Sequence, residues 1–293
     1  MTRRLGQQIV VAMFVVALLL APLASLAPTS ATPTGSGFHW ARQSSQFTLQ
    51  IGSNLDGPWP GILNQVVSDW NKNETVTFKV VGGGTNPQEC RPVTGRVEAC
   101  NWRYGTQEGW LGLTRLYFNS GGDHIEAATV QMNDSFFDTA SEYNIEAARR
   151  HTMCHEIGHT AGLDHVSTDS CMNDSQFAVF NNVKPINKDF NQLARIYGHS
   201  DSTTTVSGPQ KKEKKDKKKK KSGKKNGKRN GRRQASQGSK ERNRDKSGVE
   251  SDSFFSPTSL PSVPGGLTGS ETVTVETTAD GRKVVTFITF AGE

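Results

Sequence analysis

The chain has little of what a large interior needs. Hydrophobic residues fill only 33% of its 293 positions, so a length that could hold two ordinary domains reads instead as one large domain with unusual ends. Long apolar runs are scarce as well. The one that stands out, Ile9 to Leu20, is short for a membrane span. Arg3 and Arg4 precede it, and small residues follow at Ser25, Ala27, Thr29 and Ala31. That pattern predicts a secretory signal peptide over residues 1–31, cut after Ala31 because a cut after Ala27 would face Pro28. An uncleaved anchor is the alternative. Export would place the four cysteines in an oxidising setting where they can pair.

Acidic residues are outnumbered heavily in one place. Between residues 211 and 246, fourteen lysines and five arginines meet four acidic residues, a net +15 in a chain whose total is +7. The high overall charge therefore belongs to this stretch, and the rest is net acidic. With Gly, Ser and Asn threaded through it and almost nothing apolar, residues 201–250 are expected to form a disordered linker. Its expected partners are polyanions such as wall polymers, acidic polysaccharide, an anionic lipid surface or nucleic acid; the alternative is a linker held extended by self-repulsion. No aromatic platform accompanies the charges, so specific nucleic-acid recognition is not expected.

Chemistry concentrates in His155-Glu156-Ile157-Gly158-His159-Thr160-Ala161-Gly162-Leu163-Asp164-His165. On a helix, His155 and His159 share a face and can reach one metal ion, with Glu156 one step round. Gly162 can take a left-handed conformation that ends the helix and brings His165 back as a third ligand. Three neutral imidazoles leave a tetrahedral Zn2+ one open position. A water there would be acidified to a pKa near about 7, with Glu156 placed to take its proton. His151 shares the helix face one turn earlier but is not expected to bind, since the fourth position must stay open; His39, His124 and His199 lie outside the pattern and are read as non-ligands too.

The segment resembles the signature of the metzincin metallopeptidases, closest to their matrixin-like branch. That resemblance implies a methionine turn beneath the metal, matched by Met172 in Asp169-Ser170-Cys171-Met172-Asn173, and a last helix matched by Lys184 to Gly198, in which Asp189 would bond that turn. It covers roughly residues 45–198 and implies a secreted zinc endopeptidase acting on proteins or peptides. Such enzymes usually carry a propeptide whose cysteine blocks the zinc. No such segment stands between the apolar start and the first strand, and Cys90 lies elsewhere, so a cysteine switch is not expected. Acidic residues such as Asp123, Asp134, Asp164, Asp169 and Asp174 could take Ca2+, but no complete loop motif supports it.

The remaining pattern is α+β. Strands are expected at Phe47–Ile51, Thr75–Val81, Trp110–Asn119 and Ile125–Asn133, and helices at Trp59–Trp70 and Asn144–Ala161. By the resemblance, the third of these strands would be the open edge beside the cleft, able to pair with an extended peptide; an ordinary hairpin is the alternative reading. Cys90 and Cys100 bracket a short loop and are expected to bridge, against two free thiols. Cys154 and Cys171, each next to a residue of the site, form a second candidate bridge against two buried thiols. Asp280-Gly281 between two β-rich runs signals a terminal hairpin in residues 251–293. A hairpin alone is marginal in water, so it is expected to dock or to form only partly. The catalytic domain is thus expected over 38–200. The competing class is a non-enzymatic surface-binding protein with a structural zinc, which would normally have a fourth protein ligand.

Overall fold

A computed structural model describes residues 37–139, 142–175, 178, 180–208 and 271–291. The expected signal peptide and the basic stretch 211–246 lie outside these residues. Among the described residues no helix is long and apolar enough to cross a membrane. The fold is mixed α+β, with a mixed sheet and few helices.

Strand β1 is His39–Trp40, β2 is Phe47–Asn54, and helix α1, Trp59–Trp70, leads into β3, Val76–Gly82. Pro60 sits in the first turn of α1, where its missing N–H costs nothing, and Ile62, Leu63, Val66 and Trp70 face the core at helical spacing. Parallel pairing of β2 with β3 across this helix makes a strand–helix–strand unit. Strand β4, Val97–Trp102, was not expected from the sequence; it inserts parallel between β2 and β6, His124–Asn133. Its Glu98 is fully buried, and that is tolerable because Arg96 lies 2.5 Å away and the Asn54 side chain and Gly84 amide donate to the same carboxylate.

Strand β5, Trp110–Phe118, pairs antiparallel with β6. Short helix α2, Asp134–Phe137, follows, then α3, Glu146–Thr160, and α4, Asn187–Ile196. The terminal hairpin forms as β7, Thr272–Thr277, and β8, Lys283–Phe290, with Gly281 at φ +83° in its turn. It does not stand alone. Strand β8 pairs antiparallel along β5, so the sheet order is β3-β2-β4-β6-β5-β8-β7, with β1 attached to β6. The strand expected to be an open edge is therefore covered on both sides. The hairpin's buried side chains explain why: Val285 and Phe287 join the main core, while Val284 packs with Tyr117 and Ala127 on the opposite face. Its ends are also tied down. Arg282 pairs with Glu126, the Lys283 ammonium lies 4.0 Å from the Phe118 ring centroid, and the Ala291 amide donates to Gly109 at 2.7 Å.

The packed chain also runs past residue 200. The amides of Asp201, Thr205 and Ser207 donate to the carbonyls of Arg42, Ala41 and Gly95, and Val206 is buried, so residues 201–208 form a strap across β1 and the approach to β4.

Candidate metal and catalytic site

The site is built on the C-terminal half of α3, which lies against β5, β6 and α1. From Thr152 to Thr160 every residue of this helix is buried. Its terminal carbonyls are satisfied from outside. The Trp40 indole donates to Thr160 O at 2.7 Å and the Tyr197 hydroxyl to Ala161 O at 3.1 Å. Gly162, at φ +82°, reverses the chain; its own amide bonds His159 O, and the Leu163 amide reaches back to Gly158 O at 3.4 Å.

The three signature histidines converge. The Nε2 atoms of His155 and His159 are 2.9 Å apart, and those of His159 and His165 are 3.3 Å apart. Each of the two helical rings turns its other nitrogen to a backbone carbonyl: His155 Nδ1 is 2.7 Å from Cys171 O and His159 Nδ1 is 2.9 Å from Leu163 O. With Nδ1–H donated in this way, Nε2 carries the lone pair, the tautomer a metal ligand needs. The turn that returns His165 therefore also orients His159. His151 stays out of the group: its Nδ1 is 2.7 Å from Asn182 O, and burial, aided by His155, pushes its pKa down to about 3.

A fourth group enters from a part of the chain the sequence did not connect to the site. Glu271, at the start of the hairpin, buries its side chain to 1% exposure among the three rings. Its Oε2 lies 2.8 Å from His155 Nε2 and 3.3 Å from His159 Nε2, and it also contacts His165 Nε2. Its Oε1 makes no hydrogen bond. Three converging imidazole Nε2 atoms, two of them with the lone pair set by Nδ1–H donation, around a buried carboxylate are a donor set that fits Zn2+. His155, His159, His165 and Glu271 would hold the ion.

Glu156 is fully buried, and both carboxylate oxygens are occupied. Thr114 on β5 donates to Oε2 and Thr289 on β8 donates to Oε1, each at 2.6 Å. Burial and the charge of Glu271 raise its pKa to about 7. Burial would also raise Glu271, but His159, His165 and His155 outweigh it and hold that carboxyl well below its usual range. For His165 burial acts downward and the Glu271 charge prevails, taking it up to about 9. Gly112 lets β5 approach this close, since a Cβ there would lie 2.6 Å from Glu156 Oε1. Thr114, Thr289, Gly112 and Glu271 were all missed in the sequence. Only a lone glycine inside an apolar strand, Gly112, carried a signal there.

Beneath the histidines, Met172 is buried, and Gly158 makes room for it, because a Cβ on Gly158 would collide with its sulfur. Asp189 reaches the turn through Ser170, whose hydroxyl donates to Asp189 at 2.5 Å and accepts from the Met172 amide at 3.0 Å. Burial raises the Asp189 pKa against the lowering effect of the Ile186 amide and Ser170 hydroxyl, and those two bonds make the carboxyl an anchor of the turn. Two disulfides are present, Cys90–Cys100 and Cys154–Cys171, and the second joins the ligand helix to the methionine turn. Non-reducing peptide mapping of the purified protein is expected to recover both linkages and no free thiol. Alkylation of all four cysteines before reduction would contradict this pairing.

No family model and no curated protein matches the chain. Among solved structures it is similar in part to archaemetzincin from Archaeoglobus fulgidus complexed with malonate, at 15% identity over 50% of this chain and 99% of that one, TM-score 0.31. It is also similar to archaemetzincin from Methanopyrus kandleri, at 12% identity over 53% of this chain and 97% of that one, TM-score 0.33. A third is myroilysin, at 15% identity over 55% of this chain and 97% of that one, TM-score 0.33. Likeness at this level carries no conclusion about the reaction. The site's own donors carry the reading that follows.

Proposed function

We propose that the chain is a secreted zinc-dependent endopeptidase of metzincin, matrixin-like type. The observation that carries the reading is the convergence of three imidazole Nε2 atoms, two of them with the tautomer set by a backbone carbonyl, next to a buried glutamate that is not one of the three histidine donors. When bound, zinc supplies Lewis acidity, polarising the scissile carbonyl and making water acidic. His155, His159 and His165 hold it. Glu156 takes a proton from the attacking water and returns it to the leaving amine. Thr114 keeps the carboxylate aimed, and β5 offers main-chain groups for an extended peptide once its partner strand is absent. Export is supported by the apolar N-terminal run and by two disulfides in a small domain. Retention on polyanions through residues 211–246 is supported by their net +15 charge.

One observation favours a second reading. With Glu271 as a fourth protein donor the group has the closed composition of a structural zinc site, as a non-enzymatic surface-binding protein would have. Metal analysis together with casein digestion separates the two, applied to the intact chain and to Glu271→Ala with and without 1,10-phenanthroline. The peptidase reading expects zinc to depend on His155 and His159, and the metal of Glu271→Ala to bind a small hydroxamate at an open position. A folded, zinc-loaded Glu271→Ala chain that binds no hydroxamate and cleaves no casein supports the structural reading instead.

A further inference from the structure

We propose that residues 271–291 are an inhibitor carried by the chain itself, which closes the zinc site by strand replacement and by a carboxylate ligand; this rests on the peptidase reading. One continuous segment touches every part of the machinery. Strand β8 runs antiparallel along β5 from Trp110↔Phe290 to Tyr117↔Val284, taking the hydrogen-bonding edge an extended substrate would need. Opposite Gly112, Thr289 donates to Glu156 and so occupies an oxygen the base needs for water. Opposite Thr114, Phe287 lays its ring on His159, centroids 4.1 Å apart and planes 14° from parallel. Glu271 then fills the space between the three imidazoles.

An accidental contact would not look like this. A carboxylate buried to 1% exposure is strongly unfavourable unless cationic or metal partners face it, and among the described residues only the three histidines face Glu271. Its position is fixed by β7, whose first residue, Thr272, is paired with Ile288. The strand that blocks the edge thus also aims the carboxylate. The segment joins the sheet at the end of the described chain, separated from residue 208 by a stretch rich in lysine and arginine. Cleavage after basic residues there would free the hairpin from its covalent tether.

The test uses full-length zinc-loaded protein and reads access to the metal as well as turnover. Extraction of zinc by 1,10-phenanthroline and binding of a small hydroxamate are compared in the intact chain, Glu271→Ala and Glu271→Gln. Both rates are expected to rise about tenfold to a hundredfold in the variants, the scale seen when one group supporting a metal site is lost. Peptide turnover is expected to stay low in both variants, because β8 still covers β5 and Thr289 still binds Glu156. Glu271→Gln keeps the volume, so it reports on the ligand even if Glu271→Ala disturbs the hairpin. Zinc-loaded variants that give up zinc and bind hydroxamate no faster than the intact chain overturn the inhibitor. If none of the proteins binds zinc, the peptidase reading falls first and the inhibitor with it.

A separate cluster supports a second inference. Asp201 Oδ1 lies 3.5, 3.3 and 3.3 Å from the Nε2 atoms of His39, His124 and His199, and the Nε2 atoms of His39 and His199 are 3.1 Å apart. His39 Nδ1 is 2.7 Å from Gly37 O, and His124 Nδ1 is 3.0 Å from Asp123 Oδ1. With Nδ1–H donated to those oxygens, the Nε2 atoms of His39 and His124 turn to the Asp201 carboxylate, the orientation of ligands that share one cation; imidazolium rings donating to Asp201 are the metal-free alternative. The other Asp201 oxygen accepts the Arg42 amide at 2.9 Å. We infer that this group binds a divalent transition metal, with imidazole and carboxylate donors suiting Zn2+. The ion would staple β1 and the start of β6 to the strap at 201–208. Titration with zinc alone is expected to load two ions per chain, falling to one in Asp201→Asn and in His39→Ala/His199→Ala. His159→Ala should remove only the other ion. A stoichiometry unchanged in both Asp201→Asn and the double variant, or a single ion lost with His159→Ala, overturns it.

Discussion

Glu156→Gln is expected to lower kcat/KM by about a thousandfold, within the 10²–10⁴ range for losing a general base, while zinc content and fold are retained. The hydroxyls of Thr114 and Thr289 both donate to the carboxylate. An amide of the same shape keeps one of these bonds, and the other hydroxyl can rotate to accept from the new NH2 group. His155 and His159 keep their backbone partners, because neither ring is bonded to Glu156. The measurement belongs on the most active form available, the intact chain or Glu271→Ala, with metal content determined on the same sample. Turnover within a few-fold of the parent would remove Glu156 from the mechanism. Loss of zinc together with turnover would instead give it a structural role in the site.

Gly162→Ala is expected to destabilise the protein by about 3 kcal/mol or more and to weaken zinc binding. Two penalties add at this position. Its φ of +82° is one L-residues avoid, costing about 1–2 kcal/mol, and an added Cβ would run into the carbonyl oxygen of Phe38, which is backbone and cannot rotate away. For a domain of this size that corresponds to a fall in Tm of about 6–12 °C. Gly57 is the internal control: it sits at φ +56° with nothing within 4 Å of the added Cβ, so Gly57→Ala should cost only the backbone penalty. Equal losses at the two positions would show that the collision with Phe38 is relieved. A Gly162→Ala chain with unchanged Tm and zinc affinity would mean that the reversal bringing His165 to the metal does not need a left-handed residue.

How much of the site could be read beforehand follows from the range of the interactions that make it. The i, i+4 placement of His155 and His159, the stop at Gly162 and the turn at Asp280-Gly281 are short-range consequences of helix period and glycine freedom, and they stand in the structure where the residue pattern put them. The helix at Trp59–Trp70 was legible for the same reason. Strand β4 was not. Pro92 and Gly95 before it read as loop, and Glu98 in its middle argues against a buried strand until Arg96, Asn54 and Gly84 are known to surround it.

Amino-acid order by itself determined the spacing of His155 and His159 on α3 and the turn after it, because those depend on neighbours within a few positions. Which strand covers β5, and which carboxylate faces the histidines, was decided only in three dimensions. Glu271 is 116 residues from His155, and nothing in a lone glutamate before a β-rich run indicates a destination. The same holds for Asp201 and the three histidines around it, drawn from β1, from β6 and from the segment after α4. Pairing at such separations depends on the register of a whole sheet and on what its faces bury, and local propensity does not specify either.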